Sequence, residues 1–291
     1  MAMQQHIRNP IEWGWDQLKL GGRAVDVAAH SMDGAWEARD TGPIVVRRIT
    51  AADLREVLLK GVQDFGAYRT DVIFLCLLYP VAGLVLSRLV IGYDMLPLLF
   101  PLVSGFALIA PLFAVGLYEM SRRREHGMER GWSDAFGVAA SPALGSIVVM
   151  GLILLALFAL WMFAAHILYL VTLGPEAPTS LSSFAHDVFE TRAGWTMTIL
   201  GVGIGFLFAV VSATISVVSF PLLLDRDVGV TAAITTSIRV VRENPGIMAL
   251  WGAIIAASLV VGMVPLLVGL AVVLPVLGHA TWHLYRKVLP R

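Results

Sequence analysis

The stretch SFPLLLDRDVG, residues 219–229, ends a long apolar run in a proline, three leucines and then three successive charges. Similar stops recur in GLYEMSRRREHG, residues 116–127, and in HATWHLYRKV, residues 279–288. A helix of about 20 apolar residues crosses the hydrocarbon core of a bilayer. Lys and Arg in short connections are retained on the cytoplasmic side. Each stop therefore reads as a helix leaving a membrane on that side.

Composition agrees: 57% of the residues are apolar and 14% charged, against about 45–50% and about 25% in soluble domains. Residues 71–90, 95–120, 145–173 and 197–224 are each nearly free of charge and long enough to span. A fifth run, residues 247–285, would extend about 58 Å as helix, twice the roughly 30 Å core. It is expected to cross twice, with the turn at GMVP, residues 262–265, because glycine and proline punctuate helices.

The count of six predicts a charge asymmetry. Nineteen of the 21 Lys and Arg fall before the first crossing, in the second and fourth connections, or after the sixth, and two fall in the odd connections. Both termini are therefore expected in the cytoplasm. Net charge is zero, so no global field points to nucleic acid as a partner. The first apolar run begins only near residue 71, so the first crossing itself is expected to direct insertion. The lone cysteine, Cys76, rules out an intrachain disulfide and a metal site built on several thiolates.

Before each odd crossing that follows a cytoplasmic segment lies a stretch with helical spacing. In TAADLREVLLKGVQDF, residues 50–65, Leu54, Val57, Leu58, Val62 and Phe65 share a face, and Thr50 with Asp53 forms a capping box. In GWSDAFGVAASPALG, residues 131–145, the positions are Trp132, Phe136, Ala139, Ala140 and Ala143. In VTAAITTSIRVVRENPG, residues 230–246, they are Val230, Ile234, Ile238 and Val241. The fold expected is all-α: a polytopic membrane protein with six transmembrane helices as three hairpins, each preceded by a cytoplasmic surface helix. The three units read as internal repeats or as interfacial linkers of unrelated origin. Pro111 and Pro275 each precede the first Arg of their stop by 11 residues, which supports equating units one and three, whereas in unit two Pro221 stands only five before Arg226.

Residues 1–44 form a separate cytoplasmic segment, and residues 45–291 the transmembrane domain. In the first, Ile11, Trp15, Leu18, Val25 and Ala29 make an apolar stripe interrupted by Gly21 and Gly22. Trp13, Trp15 and Leu18 are candidate partner-binding residues, since aromatic anchors suit an interface. The same pattern suits lipid headgroups or packing on the protein's own helices.

Ionisable residues that would mark a substrate path are scarce within the crossings. His166 lies inside an apolar run, where a neutral imidazole needs one or two partners. His279 and His283, four apart, share a helical face and are candidate metal ligands, although no Cys, Asp or Glu nearby in sequence completes a set. His186 and Glu190 lie in the long external connection, where Phe184, Val188 and Phe189 give a surface helix an apolar face. Gly201 and Gly205 share a face of the fourth crossing, followed by Ser212, Thr214, Ser216 and Ser219. These suit close helix packing or a polar pore lining. No GxSxG, Walker or HExxH pattern occurs.

The run VVSFPLLLDRDVGVTAAITTSIRVVRENPGIMALWG, with VGLAVVLPVLGHATWHLYRKV and FETRAGW, resembles a family of bacterial predicted integral membrane proteins catalogued as a domain of unknown function. The likeness covers roughly residues 45–288, and some members are labelled putative cytochrome c oxidase. It implies a bacterial inner membrane location and brings no catalytic residues. A haem-copper centre needs about six histidine ligands, and only His166, His279 and His283 are membrane-associated here. The expectation is a non-catalytic protein without cofactor, embedded in a lipid bilayer. It would act as an accessory, assembly or scaffold subunit bound to another membrane complex, such as a respiratory one, or as a homo-oligomer. The alternative is a transporter or channel for a neutral or hydrophobic solute, with proline-kinked helices around a cavity.

Overall fold

The computed structural model describes residues 44–67, 88, 96–128, 138, 141–176, 178–265 and 268–290. Among these residues there is no strand. The chain enters as an extended segment, residues 44–50, and turns into helix α1 at 51–67. The capping box forms: the Thr50 backbone N–H donates to the Asp53 carboxylate at 2.8 Å, and the Asp53 N–H points back to the Thr50 hydroxyl at 3.4 Å.

After a 3₁₀ turn at Leu96–Leu98 come α2 (Leu99–Phe113) and α3 (Val115–Glu125), separated at Ala114. Next are α4 (Leu144–Thr172), the short α5 (Leu181–Glu190), α6 (Arg192–Ser216) and α7 (Ser219–Asp225). Last come α8 (Val230–Glu243), α9 (Pro245–Met263) and α10 (Leu270–Val288). Among the described residues four stretches are long and apolar enough to cross a membrane: Leu96–Glu125, Leu144–Thr172, Arg192–Asp225 and Pro245–Met263. The predicted crossing at 71–90 lies outside the described residues, as does Cys76. The chain does break where the fifth run was expected to turn, since α9 ends at Met263 and residues 264–265 are a turn. The helix beyond it, α10, is not among the four spans, because its second half carries His279, His283, Arg286 and Lys287.

Helices α2, α4 and α6 pack on one another, and glycine sets how closely. Trp161 of α4 is 3% exposed and donates its indole N–H to the Pro101 carbonyl at 2.9 Å. A Cβ on Gly205 of α6 would stand 3.0 Å from the Trp161 ring, and one on Gly105 of α2 2.5 Å from the Phe158 ring. The glycine face of α6 is thus a packing face, as small residues allow between lipid-embedded helices. Its hydroxyls are also used: Ser212 donates to the Leu108 carbonyl at 2.7 Å and Ser216 to Ser212, and Ser219 at the start of α7 donates back to Ile215. Away from these contacts the surface is apolar, with Leu160, Phe163, Val171, Ile199, Phe206 and Leu207 all about half exposed or more. Such a continuous patch on a soluble protein would be anomalous, and it suits a surface facing lipid.

Two of the three segments expected to be surface helices are helical, α1 and α8, but their buried faces are turned from the predicted ones. On α1 the buried positions are Leu54, Val57, Gly61 and Asp64, while Val62 is 52% exposed. On α8 they are Val230, Ala233, Ser237 and Val240, with Thr236 beside them and Ile234, Ile238 and Val241 only half-buried. Small or polar residues displaced larger apolar ones because the helices lie too close to their supports for the latter. A Cβ on Gly61 would meet the Val276 carbonyl at 2.7 Å and Ala280 at 2.8 Å. Ser237 spends its hydroxyl on the Thr214 carbonyl at 2.7 Å. The third expected surface helix, in 131–145, falls mostly outside the described residues; 141–143 form a bend and turn, and 144–145 already belong to α4. The proposed equivalence of Pro111 and Pro275 is partial: α2 and α3 separate three residues after Pro111, whereas α10 runs unbroken through Pro275.

Candidate functional site at the basic end

The three stretches that end apolar runs meet at one end of the molecule. Arg286 of α10 pairs with Glu125 of α3 at 2.9 Å and reaches Asp225 of α7 at 3.5 Å. Tyr285 donates its hydroxyl to Asp225 at 2.7 Å, and the Trp282 indole N–H donates to Glu125 at 3.1 Å. Arg226 reaches the Pro290 carbonyl at 3.1 Å. Glu119, 1% exposed, is held by Arg122 and Arg123 from the following turn, each at 2.7 Å. The stop residues thus serve as ties between helix ends. A buried carboxylate needs such partners to stay charged.

Inside this rim lies a cluster of five polar side chains from three segments: Asp64 of α1, Ser121 and Arg124 of α3, and His279 and His283 of α10. The Ser121 hydroxyl donates to Asp64 Oδ2 at 2.5 Å, and His283 Nε2 lies 2.9 Å from the same oxygen. Arg124 donates to Asp64 Oδ1. Burial pushes the Asp64 carboxyl up, but the hydrogen bonds from His283 and Ser121, with the imidazole charges, outweigh it and hold it below its ordinary value. Ser121 Oγ also lies 2.8 Å from His279 Nδ1. A hydroxyl has one proton, and this one is given to Asp64, so His279 Nδ1 is assigned as the donor to Oγ. The Leu117 backbone lies beside the same ring.

The cluster has the side chains of a nucleophilic triad and not its geometry. In a triad the imidazole stands between hydroxyl and carboxylate and draws the hydroxyl proton. Here the hydroxyl stands between carboxylate and imidazole, and its proton faces the carboxylate. Ser121 and His279 are 1% and 0% exposed, which leaves no approach for a substrate. The arrangement fastens α1 and α10 to α3.

His279 and His283 do share a face of α10, but each ring is turned to its own partner, Ser121 or Asp64. Among the described residues no group of three or more His, Cys, Asp and Glu is arranged to hold a metal ion. His166 is exposed on α4. His186 and Glu190 pair at 3.1 Å on the outer face of α5, both more than half exposed. Trp13, Trp15 and Leu18 lie outside the described residues. Reading by periodicity missed Asp64 and Ser121. The available signal was Asp64 in register with Leu54, Val57 and Gly61, which puts a carboxylate on a buried stripe.

Residues 99–225 match the family described as predicted integral membrane protein (DUF2189). The resemblance read from the sequence thus holds over this stretch, which runs from α2 to the end of α7. The chain is an integral membrane protein with several apolar helices. The DUF2189 stretch contributes Ser121, Arg124, Glu125 and Asp225 to the basic end. Asp64, His279, His283 and Arg286 come from outside it. No curated protein and no solved structure matches the chain.

Proposed function

We propose that this is a non-catalytic inner membrane protein that serves as an accessory, assembly or scaffold subunit of another membrane complex. The reading rests on one observation: the buried cluster that brings a carboxylate, two imidazoles and a serine hydroxyl together is closed, and its hydrogen bonds are spent between three segments of the chain. The side chains that would be needed for chemistry instead hold the cytoplasmic ends of helices in register. The Ser212 and Ser216 hydroxyls of α6 donate to helix carbonyls, which supports a packing role for that face.

On this proposal six helices cross, the basic end is cytoplasmic, and α1 and α8 are equivalent elements of repeated units. Both bury positions spaced by three, four and three residues: 54, 57, 61, 64 and 230, 233, 237, 240. The N-terminal segment, with Trp13, Trp15 and Leu18, docks on the partner. Wild-type protein and a form lacking residues 1–44 would be compared by co-purification from native membranes and by thermal unfolding in one detergent. The proposal expects a stoichiometric partner that is lost on truncation while unfolding is unchanged. A truncated form that retains every partner, or that unfolds, removes the docking role. Impermeant labelling of cysteines placed at Ser183 and at Gly127, which is exposed, in a Cys76→Ala background, tests the sidedness, which requires reaction from outside at Ser183 alone.

A further inference from the structure

The extended segment at residues 44–50 is clasped between α8 and the end of α10. Its Arg47 backbone N–H donates to the Val288 carbonyl at 2.8 Å, and its Ile49 N–H donates to Asn244 Oδ1 at 2.9 Å. Asn244 also reaches back to the Arg47 carbonyl at 3.3 Å, and Arg239 donates to the Ile44 carbonyl. The segment therefore runs along the last turns of α8, with its backbone polar groups bonded and its Ile49 buried. This packing leaves Val45, Arg47 and Arg48 exposed on the segment and Arg239 and Arg242 exposed on the last turns of α8, the turns that Arg239 and Asn244 bond to the segment. Arg239 is paired with Glu243 at 3.8 Å, and among the described residues no acidic partner lies against Arg47, Arg48 or Arg242.

The same edge is the foot of an apolar wall. Asn244 is followed at once by α9, of which only Met248, Trp251 and Gly262 are buried, and only 17% of whose most apolar window is covered by protein. Leu250, Val260 and Val261 face outward. Cations at the base of an uncovered apolar face complement an anionic amphiphile, with its headgroup on the cations and its chains along the wall.

We propose that Arg47, Arg48 and Arg242 form a headgroup site for an anionic phospholipid whose acyl chains lie along the exposed face of α9. Arginine suits this role because its planar fork donates two parallel hydrogen bonds to a phosphate. The proposal stands whether or not the protein has an accessory role, since it needs only the bilayer.

The full chain would be purified in neutral detergent and given phosphatidylglycerol or phosphatidylcholine of identical acyl chains. Retained lipid would be counted by native mass spectrometry. Wild type should hold phosphatidylglycerol about tenfold more strongly than phosphatidylcholine, as a few juxtamembrane cations permit. Arg47→Gln/Arg48→Gln/Arg242→Gln should lose that preference. Arg55→Gln/Lys60→Gln/Arg192→Gln, which removes as many exposed cations elsewhere, should keep it. Arg239 is left in place because it holds the Ile44 carbonyl, and circular dichroism with thermal unfolding confirms that both triple variants fold. Equal retention of the two lipids by wild type overturns the proposal, as does equal loss in the two triple variants, which would indicate nonspecific charge. Loss of preference in wild type on adding inorganic phosphate alone would assign the arginines to free phosphate. A variant that keeps its lipid but sheds a co-purified protein would assign them to an acidic protein surface; either result overturns the lipid site.

Discussion

The α2, α4 and α6 bundle and the basic end bury side chains to similar depth by opposite means. In the bundle, glycines at 105 and 205 bring backbones against Phe158 and Trp161, and the few hydroxyls bond helix carbonyls. At the basic end, carboxylates at 64, 119, 125 and 225 are each met by Arg, His, Ser, Tyr or Trp. The solvent on each side explains the difference. Lipid offers no hydrogen bonds and adds no hydrophobic driving force between helices, so packing there relies on shape. Water competes for every charge at the other end, so ties persist where several partners converge on a buried acid.

Asp64 is the place where that contrast should break most sharply. Asp64→Ala leaves Arg124, His283 and Ser121 facing an emptied site, and is expected to destabilise the contact of α1 by about 3 kcal/mol. Amide exchange across residues 51–67 should rise while α4 and α6 stay protected. The same carboxyl predicts a pH effect. Its folded value lies below its ordinary 3.8, so its contribution is present above about that pH and lost as pH falls through the folded value. Exchange in α1 of the wild type should therefore accelerate below about pH 4, and an Asp64→Ala protein should lack that step. An acid transition that survives the substitution would assign it to another titrating group, a carboxylate or a histidine of the cluster.

Overpacking tests the two regions on equal terms. Gly61→Ala drives a methyl onto the Val276 carbonyl and the Ala280 backbone, which cannot step aside, and should cost about 2 kcal/mol in thermal or denaturant unfolding. Gly105→Ala meets the Phe158 and Trp161 rings and should cost about 1 kcal/mol, because side chains can turn where backbone cannot. A reversed order would mean that the bundle is the more rigid region. Smaller still, Ser212→Ala removes one hydroxyl bond to the Leu108 carbonyl, expected at about 0.6 kcal/mol as for other bonds between membrane helices. Phe206→Leu on the exposed face should stay within about 0.5 kcal/mol.

Membrane character, the all-helical class, the break near residue 263 and the capping box at Thr50 were legible because each depends on residues close in sequence. Run length against bilayer thickness and the chemistry of a helix start require no knowledge of neighbours. The faces of α1 and α8 were legible only to within about one position. Periodicity weighs Val62 and Ile234 by hydrophobicity, whereas burial also depends on how near the supporting helix comes. The convergence of Glu125, Asp225 and Arg286, and the meeting of Asp64 with Ser121 and two histidines, were decided by tertiary structure. These partners are 57 to 219 residues apart. Nothing in the local pattern of either partner states the distance to the other, so the charge at each helix end was readable and its counter-charge was not.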